Sequence, residues 1–293
     1  MATQFRKELT DFLRPKLGGS LSQDVVSWLD AWGDRAGVPR DGSAAASQPA
    51  PAPAPAPAPP APVPAAPAPA PTSAASPGDD RYLALFRALA GADAVPRDVE
   101  TVARSFAKHA GAYSQDISKP RIAEFVAQIT NETGGFQRFS ENLNYKTEAL
   151  IAKFGRHRIS IADAERYGRN AQHPANQEMI ANTIYGGPWG KENLGNIEPG
   201  DGWKYRGRGS LQLTGRAHYG RYGDWLSLPL VDEPELASDP ADSTLIALEF
   251  FKRNKVNDAV DKGDFTEARR LTNGGKIGLE EVAALRARIL TLL

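Results

Sequence analysis

A chain of 293 residues with 41% hydrophobic and 24% charged content is long enough to bury one full core with a smaller piece besides. Its 35 basic and 35 acidic residues leave no net charge, so nucleic acid is not an expected partner. With no cysteine, and with His109, His157 and His173 scattered without a His-x-x-x-His spacing, a zinc amidase or peptidase has little support, and neither metal nor cofactor is expected.

Residues 1–40 carry apolar positions at Phe5, Leu9, Phe12 and Leu13, then at Leu21, Val25, Val26, Leu29 and Trp32. This spacing predicts two short amphipathic helices split by Pro15 and by Gly18-Gly19. A segment of about 40 residues rarely holds a core without metal, disulfide or partner, so it is expected to dock on cell wall, on the rest of the chain or on a second copy. Charges at Arg6, Lys7, Glu8, Asp11, Arg14 and Lys16 interrupt any apolar leader, so no secretory signal is expected. No run of apolar residues is long enough for a membrane span. The expected location is therefore the cytoplasm until release through a holin or by a secretion machine, and the expected state is a monomer.

Residues 41–79 read as a linker. Thirteen of the 23 prolines fall between Pro49 and Pro77, in a Pro-Ala tract with no side chains from which to build a core. In polyproline geometry, at about 3.1 Å per residue, some thirty residues span up to roughly 90 Å.

From residue 80 onward the expected fold class is mainly α. Val99, Val102, Ala103 and Phe106 recur at helical spacing, as do Leu279, Val282, Ala283 and Ile289 with Leu290. Short hairpins are the only strand pairing expected, near residues 136–145 and 203–214. The run Arg121–Ile129 places Ile122, Phe125, Val126 and Ile129 on one helical face, and Glu132 continues it. A carboxyl on a buried stripe is expected to hold its proton. Gly134-Gly135 then stops the helix, and the chain turns to Glu141, which between Ser140 and Asn142 is expected to be wetter and ionised. A protonated carboxyl paired with an ionised one is what glycosidic bond cleavage requires. The plainer reading is a helix-stop glutamate and a solvated loop glutamate.

Downstream, Gly200–Tyr219 mixes five glycines with Trp203, Tyr205, Tyr219 and three arginines, which suggests close backbone approaches and aromatic faces. Such parts suit a sugar site, with Gln212 and Thr214 available to hold hydroxyls, acetamido groups or a water. Arg206-Gly207-Arg208-Gly209 read as a phosphate loop lacks the strand-to-helix context and the terminal Lys-Ser/Thr.

Four segments in order, Asn131–Phe136, Glu141–Tyr145, Gly200–Gly215 and Leu271–Gly275, resemble glycoside hydrolase family 19, above all its phage and prophage endolysins and its bacterial chitinase-like members, and the Tyr185-Gly186 region resembles a further segment of that family. The resemblance covers roughly residues 80 to 293. It implies a mainly α, lysozyme-like lobed domain and an inverting hydrolysis with no covalent intermediate. By motif position, Glu132 would be the general acid and Glu141 the general base. Thr214 would help hold the attacking water, with Gln212 and Asn273 touching substrate. Asn144, Tyr145 and Trp203 are further substrate-contact candidates. Trp189 would either line the cleft or pack in the core.

Two positions depart from the family pattern. His218 stands where an asparagine is usual, replacing a sugar-contacting amide by a ring that can donate, accept or charge near neutral pH. Val282 stands where an arginine often follows the Asn-Gly-Gly motif, with Arg286 and Arg288 nearby as possible substitutes. The expected function is endolysin-like cleavage of β-1,4 bonds between N-acetylated amino sugars of peptidoglycan glycan strands. The alternatives are a chitinase, a lytic transglycosylase, and an inert wall-binding protein that keeps the hydrolase fold.

Overall fold

The computed structural model describes residues 77–293, with side chains from Arg81 onward. The two helices expected within residues 1–40 and the Pro-Ala tract up to residue 76 lie outside the described residues. The expected end of the linker at residue 79 falls within the first turn of α1 (Pro77–Leu89).

The mainly α expectation holds. The long helices are α1, α2 (Pro96–His109), α3 (Lys119–Thr133), α10 (Pro240–Arg253) and α13 (Leu279–Leu292). Between them run α4 (Thr147–Phe154), α5 (Ile161–Tyr167), α6 (Gln177–Ile184), α7 (Gly187–Leu194), α8 (Asp201–Lys204) and α9 (Arg216–Leu226). The short helices α11 (Val256–Asp261) and α12 (Phe265–Asn273) lead into α13. Among the described residues strand pairing is limited to isolated bridges, two of which, Ser140 to Arg208 and Arg208 to Leu213, fall in the segments expected to form hairpins.

The helix starts follow capping chemistry. Ser118 accepts a hydrogen bond from the Arg121 amide at the head of α3, and Asp239 accepts from Ala241 and Asp242 at the head of α10. A proline sits in the first turn of both helices, where its missing N–H costs nothing.

Helix α3 is the centre of the molecule. It packs on α13, α11 and α12, and every residue from Ile122 to Thr130 is buried. An aromatic chain crosses this core: Phe106 stacks on Phe125 at 5.3 Å, and Phe125 meets the edge of Phe251 at 4.9 Å. The α2 face expected from periodicity is buried in full, whereas in α13 the core takes Val282 and Ile289 and leaves Leu290 exposed. A second cluster gathers Leu143, Leu150, Phe154, Ile159, Ile180 and Ile184 from α4 to α6. A third joins Tyr205, Leu213, Tyr219, Tyr222, Leu230 and Ile246 across α9 and α10.

The polar residues of α3 pack differently from the one-sided helix expected. Glu124 and Gln128 are fully buried, and at i, i+4 and i+8 they form one row with Glu132. A buried charge needs a partner. Glu124 takes Arg286 of α13 at 2.8 Å, and Gln128 donates to Glu124 at 2.8 Å. Glu132 therefore extends a polar ladder rather than the apolar stripe.

Candidate active site

Gly134 ends α3 in the left-handed conformation, with φ of 64°. Gly135 follows at φ of 77°, and a Cβ there would lie 2.6 Å from the Gly91 amide nitrogen. Only glycine fits this conformation and this approach. The chain then runs through Phe139, whose carbonyl accepts from the Gly209 amide at 2.7 Å, and reaches Glu141, whose amide donates to the Gly207 carbonyl at 2.9 Å. The Glu141 segment is thus tied to the glycine-rich run by backbone hydrogen bonds.

Glu141 is held on both oxygens. Oε1 accepts from the Gly207 amide at 2.6 Å and Oε2 from the Tyr185 hydroxyl at 2.8 Å. Burial raises its pKa above the ordinary glutamate value, while these two donors and the positive charges of Lys153 and Arg206 oppose the rise. Glu141 is drier than expected, because Gly207 and Tyr185 half-bury its carboxyl. Burial, and then the adjacent Glu141 carboxylate, push the Tyr185 hydroxyl far above its usual range, so it stays a donor.

Gly207 gathers the other predicted residues. A Cβ there would meet Gln212 Oε1 at 2.8 Å, Thr214 Oγ1 at 3.3 Å and the Glu141 carboxyl carbon at 3.4 Å. Thr214 donates its hydroxyl to the Gln212 carbonyl at 2.8 Å, and the Gln212 backbone is held at φ of 55°, a strained state for a non-glycine residue. Behind this turn the fully buried Arg208 donates to the Lys204 carbonyl at 2.6 Å and to the Tyr219 hydroxyl at 3.1 Å. His218 Nδ1 lies 2.7 Å from the Thr214 carbonyl, which can only accept, so Nδ1 carries the proton.

Glu132 stands in a different setting. Its Oε1 accepts from Arg269 Nη1 at 2.7 Å and from Asn273 Nδ2 at 3.4 Å. Arg269, nearly inaccessible on α12, also donates to Gln128 Oε1 at 2.6 Å and, through Nε, to the Ile277 carbonyl at 2.8 Å. That last bond pins the Asn273–Gly278 turn, so one guanidinium locates both Glu132 and the motif asparagine. The apolar pocket expected around Glu132 is replaced by this polar one, and its side chain is 21% exposed. No hydrogen bond joins the two carboxyl groups, and neither is sealed within a filled core.

No family model matches the chain. A glycosyl hydrolase family 19 domain-containing protein of Haemophilus influenzae is 34% identical over 176 residues, covering 60% of this chain and 82% of that protein. The chain belongs to glycosyl hydrolase family 19. It is a glycoside hydrolase. Two Arabidopsis thaliana endochitinases are 27% identical over 179 and 188 residues, covering 61% and 64% of this chain. The chain spans about half the length of these two, at 47% and 50%. Among solved structures, a bacterial family 19 chitinase aligns at 19% identity over 73% of this chain and 93% of its own, with a TM-score of 0.45. Chitinase C from Streptomyces griseus aligns at 17% identity over 75% of this chain and 79% of its own, with a TM-score of 0.43.

The remaining sequence candidates of this family 19 chain divide between the two settings. Tyr145 receives a hydrogen bond from Lys153, one of the charges acting on Glu141. Asn144 is exposed, with its amide donating to Asn142 Oδ1 at 2.9 Å. Trp203 packs against the second core cluster, and the Arg206 guanidinium covers its ring at 3.8 Å. Trp189 is half-buried and faces Arg158 at 3.7 Å. Val282 is 1% exposed in the core, and Arg286 and Arg288 serve Glu124 and the Ala88 carbonyl, so none of the three reaches Glu132.

Two residues of the site were missed in sequence. Arg269 precedes Asn273 by four positions, which puts both on one face of α12, and that spacing was the available signal. Tyr185 lay inside a motif segment, overshadowed by Trp189.

Proposed function

We propose that this glycoside hydrolase cleaves β-1,4 bonds between N-acetylated amino sugars of peptidoglycan by inverting acid/base hydrolysis. The observation that carries the mechanism is the clustering of the Glu141 carboxyl, the Thr214 hydroxyl and the Gln212 amide around Gly207. Glu141 accepts from two fixed donors, so it is presented as a carboxylate, while its raised pKa makes it a stronger base than an ordinary glutamate. The Thr214 hydroxyl, grouped with Glu141 around Gly207, supports the reading in which it helps position the water that Glu141 activates.

Glu132 supplies the proton to the leaving oxygen, an assignment that rests on its place in the Asn-Glu-Thr-Gly-Gly motif. Arg269 and Asn273 occupy its Oε1, leaving Oε2 without a protein partner among the described residues. In an inverting enzyme the water attacks the face opposite the departing oxygen, and no bond forms between sugar and protein. Peptidoglycan is favoured because the ordered motifs most resemble those of the family's phage and prophage endolysins.

Purified peptidoglycan strands, treated with wild type and with Glu132→Gln and Glu141→Gln, test this reading. Hydrated reducing ends of inverted anomeric configuration are expected from wild type, with little product from either variant. Anhydro ends, or retained configuration, would overturn the mechanism. The second reading, chitin as substrate, is favoured by the relationship to the Arabidopsis endochitinases. Cleavage of chitin oligomers without clearing of peptidoglycan would select it.

A further inference from the structure

Beyond Thr214 the site continues into a cavity of about 450 Å³ between α9 and α10, within the size range of small-ligand pockets. Gln212, Thr214 and His218 line its near side. Leu213, Tyr222, Ile246 and Phe250 form an apolar floor, and Trp225, Arg221, Arg253 and Asn254 complete the wall. Trp225 is 38% exposed, and its ring is steadied by an edge contact to Tyr222 at 5.2 Å and by the Arg253 guanidinium at 4.3 Å. A fixed, accessible indole beside an apolar floor suits the flat apolar face of a pyranose.

The charges in this lining have one sign. Among the described residues it holds two guanidiniums and no carboxylate. Arg253 is paired with the buried Glu249 beneath it, so its charge is largely compensated. Arg221 is exposed and has no ion-pair or hydrogen-bond partner among the described residues. A neutral polysaccharide offers it hydrogen-bond acceptors but no opposite charge to pair with.

We propose that this cavity is a specificity subsite for an acidic N-acetylated amino sugar of the strand being cut, with Trp225 against the ring and Arg221 paired with the carboxylate of its substituent. The sugar that fits is one bearing a lactyl ether, whose carboxyl is anionic when free and is followed by further carboxylates when extended as a peptide. The inference rests on the peptidoglycan reading and deepens it, because it places the distinction from chitin in one guanidinium. Arg221 acts on binding, away from the reacting bond.

The test uses soluble un-crosslinked glycan strands with free lactyl carboxyls and the same strands with those carboxyls amidated, alongside chitin oligomers. Wild type is expected to prefer the acidic strands by about tenfold in kcat/KM, carried mainly by KM. Arg221→Gln is expected to abolish that preference and Arg221→Lys to restore part of it. Trp225→Ala is expected to weaken both strands alike, since stacking does not read the charge. Equal cleavage of both strands by wild type, or a preference retained in Arg221→Gln, would overturn the subsite while leaving the peptidoglycan reading intact. Cleavage of chitin oligomers with neither strand cut would overturn both.

Discussion

Glu141 carries opposing influences within a few ångströms. Burial favours its neutral form, and the Gly207 amide and Tyr185 hydroxyl favour its charged form, with burial the larger effect. A base must be ionised to act, so a raised pKa moves the acid limb of the pH–activity profile upward from that of an ordinary glutamate. Tyr185→Phe removes one of the two donors and leaves burial in place. The acid limb is then expected to move to still higher pH and activity to fall roughly tenfold at mildly acidic pH, checked by kcat/KM against pH. At Glu132 the partner is Arg269, whose own burial makes it hard to replace. Arg269→Met leaves Gln128 and Glu132 without their shared donor, and a loss of about 3 kcal/mol in stability is expected, measured by denaturant unfolding. A lowered kcat at temperatures where that variant remains folded would separate positioning of Glu132 from simple stability.

At the scale of elements, the site is built from turns that admit no side chain. Gly207 leaves open the space that Glu141, Gln212 and Thr214 surround, and a methyl there falls 2.8 Å from Gln212 Oε1. Gly207→Ala is expected to displace these groups and lower kcat about a hundredfold with little change in melting temperature, read from a kinetic assay beside thermal unfolding. Gly135 answers to a different constraint. Its positive φ and its contact with the Gly91 backbone make Gly135→Ala a folding defect of about 2 kcal/mol or more, visible as a lower denaturant midpoint. Helix α3 connects these effects, since Glu132 two residues before its glycine stop, the polar ladder on its side and the aromatic chain on its other face all belong to one rod.

At the scale of the molecule, the core around α3 fixes where its C-terminal end points. Phe125 is fully buried between Phe106 and Phe251, and Phe125→Ala is expected to cost about 3–5 kcal/mol, measured by chemical denaturation. Glu132 leaves α3 at the end of this core, while Glu141 is held by the glycine-rich run and by Tyr185, which packs against the second cluster. The two carboxyls are thus held by different packing units, and the mutual placement of those units sets the space between them.

Helical class and the glycine stop after Glu132 were legible in the residues, because period and φ requirement are local properties of a chain, while the grouping of Glu141 with Gln212 and Thr214 came only through the resemblance of ordered motifs to a known family. The environments of the two glutamates were not. Periodicity placed Glu132 on an apolar stripe, yet α3 is buried on every side, so its polar row found partners that arrive from α12 and α13, well over a hundred positions away. Glu141 looked wet beside Ser140 and Asn142, and it is half-buried against Gly207 and Tyr185, brought together by the fold. Hydration and ion pairing depend on what lies near in space, and that is decided by packing between segments remote in sequence.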